Sequence, residues 1–81
     1  MTIRSMKKQR AELVALVAEC ERVWALANGA ADSYAESRAM EAVVDARHAL
    51  TDFDTRDFEY VAAGIASARR RLDMALSLLG L

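Results

Sequence analysis

The chain has 81 residues, 54% of them hydrophobic and 28% charged, with a formal net charge of −1. That is one globular domain's worth of chain: the composition excludes a disordered segment, and the near-neutral charge argues against a protein whose main task is neutralising phosphates. A core this small stabilises its fold only marginally, so close helix packing, self-association or a partner would each help, and little chain is left from which to build a catalytic cleft.

Proline is absent, glycine occurs only three times and alanine is frequent, so local preference favours helix almost everywhere. Charge is unevenly placed. Arg4, Lys7, Lys8 and Arg10 open the chain with no acid among them, whereas residues 30–54 carry six acids against Arg38 and Arg47. Residues 1–5 are expected as a frayed basic arm, followed by a single helical domain over 6–81.

In that domain Leu13, Val17, Cys20, Trp24 and Ala27 recur at alternating spacings of four and three, with Leu16 and Val23 widening the stripe. The pattern predicts a helix over 6–28 with one buried face, closed by Asn28-Gly29 because glycine accepts the left-handed conformation that ends helices. Asp32 and Ser33 then offer N-cap oxygens, and Ser33 with Glu36 fits a capping box. The second helix is predicted over 33–51. Its apolar positions, Ala39, Val43, Ala46 and Leu50, are small, with Met40, Val44 and Ala42 at the margins, so its neighbours are expected to approach closely.

Residues 51–55 read as a short turn, with Asp54 and Thr55 as caps of a third helix over 55–79. Asp57 and Glu59 would lie in its first turn, where negative charge suits the helix dipole. Phe58, Val61, Ile65, Ala68, Leu72, Ala75 and Leu79 hold a three-four repeat, a coiled-coil-like seam with Gly64 beside it and Gly80 as C-cap. Short connections make neighbours antiparallel. The expected fold is all-α: an antiparallel three-helix bundle, up-down-up, or a long helical hairpin completed by dimerisation.

Cys20 is the only cysteine, so no intrachain disulfide can form and a reducing compartment is expected. No apolar run follows the basic start, and residues 13–18 are too few to span a membrane; a cytoplasmic protein without leader or membrane contact is the expectation.

Arg38, Glu41, Asp45, His48 and Asp52 follow three-four spacing on the second helix. Asp45 and His48 mimic the acid-x-x-His pair of di-metal bundles, but such sites need two pairs and this chain has one histidine, so the row reads as the solvated side of the helix and no metal or cofactor is expected. A base at His48 lacks an oriented nucleophile and an oxyanion site, and Cys20 falls on the apolar stripe as a buried, inert thiol. No catalytic residue and no enzymatic activity are expected. The basic run Arg69, Arg70 and Arg71 fans around its helix, with Arg69 in reach of Asp73 four residues on and one arginine available to an interface. Acids at the start of the third helix argue against a DNA-reading helix-turn-helix and against nucleic acid as the partner.

Trp24 and Phe58 are expected in the core, Tyr34 at an exposed helix start, and Phe53 in an acidic turn, as a plug on the end of the bundle or a partner anchor. What remains is protein recognition. The expected function is a small interaction module, an inhibitor, adaptor or co-chaperone, whose acidic middle helix meets a basic surface of another protein through Glu41, Asp45, Asp52, Asp54, Phe53 and Tyr60. Size and charge are analogous to phage and mobile-element inhibitors such as anti-CRISPR proteins. The alternatives are a structural homodimer paired through helix three and a weak nucleic-acid-binding protein.

Overall fold

A computed structural model describes residues 3–81 as three helices, α1 (Ile3–Gly29), α2 (Ser33–Asp54) and α3 (Val61–Leu78), with no strand among them. They run up, down and up, with α2 packed against both neighbours and α1 and α3 packed far less closely on each other. At 1.5 Å per residue the 27 residues of α1 reach about 40 Å, which matches the longest dimension of the molecule, 42 Å. Of the expected basic arm, Met1 and Thr2 lie outside the described residues, while residues 3–5 are already helical.

Helix boundaries depart from expectation where capping chemistry decided them. Asp32 is the N-cap of α2: its carboxylate accepts from the backbone N–H groups of Tyr34 and Ala35, both at 3.1 Å. Ser33, half of the expected capping box, is the first helical residue instead. At the other end α2 continues three residues past 51, because Phe53 lies four residues after Ala49 and seven after Ala46, on the same buried face. Thr55 therefore ends α2 instead of starting α3. Its hydroxyl donates to the carbonyls of Thr51 at 2.9 Å and Asp52 at 3.2 Å. The third helix begins only at Val61, with Tyr60 at its N-cap position and no side-chain cap bond.

All three helices end in the same way. After α1, the N–H of Ala31 donates to Asn28 O and that of Asp32 to Ala27 O; after α2, Arg56 donates to Phe53 O and Asp57 to Asp52 O; after α3, Gly80 donates to Ser77 O and Leu81 to Leu76 O. These paired bonds define a Schellman turn, whose pivotal residue adopts a left-handed backbone. Only α3 uses glycine there, Gly80 at φ +77°, whereas Ala31 sits at +54° and Arg56 at +62°. The expected Gly29 is itself helical, two residues before the pivot. A side chain in this conformation costs about 1–2 kcal/mol, and glycine gives back part of that relief through the freedom it adds to the unfolded chain. Ala31→Gly and Arg56→Gly are each expected to raise stability by about 0.5–1 kcal/mol, read as a higher urea midpoint at unchanged slope.

The core is apolar and short of bulk. On α1 the buried residues are Leu13, Leu16, Cys20, Val23 and Ala27, so the stripe is rotated from the expected one: Leu16 and Val23 are central, and Val17 and Trp24 are half-buried at its margin. On α2 five of the seven buried residues are alanines, Ala35, Ala39, Ala42, Ala46 and Ala49, joined by Val43 and Phe53, while Leu50 is only partly covered. On α3 the buried centre of the seam is Ala68, Leu72 and Ala75. Phe58, expected in that seam, lies outside the helix and is 44% exposed. Gly64 marks the closest approach of α3 to α2: a Cβ there would stand 3.2 Å from the Cβ of Ala49. Helices bearing methyls and hydrogens draw together, and that is why α2 can be gripped from both sides.

Candidate functional site

The acidic row of α2 does not lie free in solvent along its whole length. Arg71, on the flank of the α3 seam beside Leu72, reaches across to it: Nη1 donates to Asp45 Oδ2 at 2.6 Å and Nε approaches Glu41 Oε2 at 3.1 Å. Ser67 donates to the same Asp45 oxygen at 2.8 Å, and Arg38 holds Glu41 from its own helix at 3.1 Å. Two of the expected partner-binding carboxylates are thus committed to fastening α3 onto α2. The arginine cluster divides accordingly, with Arg71 structural, Arg70 exposed and Arg69 exposed; among the described residues Arg69 and Asp73 form no ion pair.

Asp54 is also engaged. Arg10 of α1 donates to it twice, Nε to Oδ1 at 2.8 Å and Nη2 to Oδ2 at 3.1 Å. These hydrogen bonds hold the Asp54 carboxyl below its ordinary value and raise the Arg10 guanidinium. The pair's contribution to stability is present above the carboxylate range and lost as the pH falls through it; its exposure keeps that contribution small. Phe53 is not an anchor on the surface. It is 5% exposed and packs edge-on against Phe58, ring centroids 5.5 Å apart at 66°, so it closes the lower end of the bundle.

Asp52 and Tyr60 remain, and the structure brings them together. Both line a cleft of about 440 Å³ between α2 and the start of α3, with Asp45, His48 and Asp57 around it and Gly64 at its floor. Tyr60 is 62% exposed there. Asp57, expected in the first turn of a helix, lies in the connecting loop because α3 starts at Val61, with Glu59 exposed nearby. Three carboxylates, an imidazole and a phenol line this cleft, and no lysine or arginine does; the Asp45 carboxylate is already paired with Arg71, so Asp52 and Asp57 are the acids that no ion pair engages among the described residues. Among the described residues no group of three or more His, Cys, Asp and Glu side chains is placed to hold a metal ion.

A second depression lies on another side of the molecule, between α1 and α3. This groove, of about 330 Å³, is floored by Leu13, Leu16, Phe53 and Ile65, walled by Phe58 at one end, and edged by Glu12 and Arg69. Cys20 lies deeper, fully buried on α1. Burial, and after it the charges of Glu19 and Asp45, pushes its thiol up to about 11, which leaves it protonated and unreactive near neutral pH.

No helix among the described residues is long and apolar enough to cross a membrane. Set against models of protein families, curated proteins and solved structures, the chain matches none.

Proposed function

We propose that this chain is a small protein-binding module, without catalytic activity of its own, that meets a basic surface of another protein with the cleft between α2 and the start of α3. The observation that carries this reading is the exposed ring of Tyr60 beside the carboxylates of Asp52 and Asp57, which no ion pair engages among the described residues, in a cleft whose third acid, Asp45, is held by Arg71. An aromatic residue with a polar tip, ringed by one sign of charge, supplies both burial and electrostatic selection for a lysine- or arginine-bearing partner. The binding surface is a compact patch at one end of the bundle. A long phosphate-like row, as a nucleic-acid-mimicking inhibitor of the anti-CRISPR kind would use, finds less support, because Arg71 engages Glu41 and Asp45 and Arg10 engages Asp54. Inhibitor, adaptor and co-chaperone remain the kinds of module in view, and the lone buried thiol favours the cytoplasm as its compartment.

The test is capture of partners from the native cell with tagged protein. Tyr60→Ala and the pair Asp52→Lys with Asp57→Lys are expected to retain wild-type helicity and thermal midpoint and to weaken capture by roughly tenfold or more. Undiminished capture by both variants would overturn the assignment. Glu41→Lys with Asp45→Lys is the wrong probe, since it sets two cations against Arg71 and loosens α3 itself.

A further inference from the structure

The groove between α1 and α3 plays no part in that reading. We infer that a second copy of this chain fills it, in a two-fold dimer that turns both acidic clefts outward.

The groove is an incomplete interior. Its floor is made of Leu13, Leu16 and Ile65, and Phe58, 44% exposed, stands at its end with its other side against Phe53. Burial of such a surface is favourable whoever covers it; the rim says who does. Glu12 stands on the α1 edge and Arg69 on the α3 edge, both exposed, and among the described residues neither forms an ion pair within the chain. A closed two-fold interface must be complementary to itself. When the axis runs parallel to the helices, α1 of one copy lies opposite α3 of the other, and each Glu12 meets the partner's Arg69, twice per dimer. A rim with two acids or two bases would repel its own copy.

This dimer differs from one paired through the helix-three seam, because Ala68, Leu72 and Ala75 are already buried within their own chain. It uses the flank of α3 that carries Ile65 and Arg69, together with α1.

Sedimentation equilibrium on the full chain tests it, with circular dichroism confirming that each variant is folded. Wild-type protein is expected to dimerise with a dissociation constant in the micromolar range, at or below about 100 µM. Glu12→Arg and Arg69→Glu, which set like charges opposite each other twice, should each weaken the dimer by roughly tenfold or more. An equimolar mixture of the two variants should regain it, since each supplies the charge the other now lacks, and the double variant should self-associate like wild type. A wild-type chain that stays monomeric at about 100 µM, a dimer indifferent to both reversals, or a mixture that fails to recover would each overturn the inference. A monomer whose capture of a foreign protein is abolished by Glu12→Arg would assign the groove to that protein instead.

Discussion

Replacing Phe53 by alanine is expected to lower the free energy of unfolding by about 3–5 kcal/mol, the range for removing a buried phenyl ring. A domain of this length has about 4–12 kcal/mol in all, so a single side chain accounts for a large share. The reason lies in the composition of α2: its other buried side chains are five alanines and Val43, and none can move into the vacated space. Phe53 also supplies the floor of the α1/α3 groove and the contact that holds Phe58, so the loss is not confined to one helix. Urea titration should show the midpoint falling at unchanged slope, with Phe53→Leu recovering most of the difference. A decrease below about 1 kcal/mol would mean that the ring is not a core residue.

The second large effect is expected in alkaline solution. Burial holds the Cys20 thiol at about 11 in the folded chain, against about 9 when free. Below pH 9 both states keep the proton and the folded state has its full stability. Between the two values the unfolded chain releases a proton that the native state retains, so stability falls with rising pH by about 1.4 kcal/mol per unit, on the order of 2–3 kcal/mol in all by pH 11. Tyrosines and lysines titrate over the same interval, so the measurement is a difference between wild type and Cys20→Ala. Urea titrations at pH 8 and pH 10.5 should show the wild type losing more stability than the variant, which lacks the thiol. Equal losses in both would show that the thiol is not held protonated by burial.

The helices and their number were legible in the sequence because a three-four apolar repeat needs no tertiary information; the short connections pointed to the up-down-up order but left a long hairpin as the alternative. What was illegible was phase and ends. Leu16 with Val23, or Val17 with Trp24, could equally have headed the α1 stripe, since the two pairs differ by one residue, about 100° around the helix. Only the position of α2 decides between them, and it favours the first. Thr55 could cap forward or backward; Phe53 decided that by extending α2 toward the core, which shortened α3 by six residues and placed Asp57, Phe58 and Tyr60 in a loop. Of the expected recognition residues, Asp52 and Tyr60 meet in the cleft, while Glu41, Asp45 and Asp54 answer to arginines that lie 30, 26 and 44 residues away in sequence. Pairings at that range have no local signature. Arg71 did carry a hint, standing next to Leu72 and three residues after Ala68 on the edge of the α3 stripe, where a long side chain can reach over a neighbouring helix.

The unequal packing of the three helices has a consequence in time. Because α1 and α3 each lean on α2 and only weakly on one another, the chain is two hairpins sharing a middle limb. Contacts between sequence neighbours dominate such a topology, and chains of this type reach the native state quickly. A change on α2 is therefore felt in both helix–helix contacts, whereas a change on α1 or α3 is felt mainly in one.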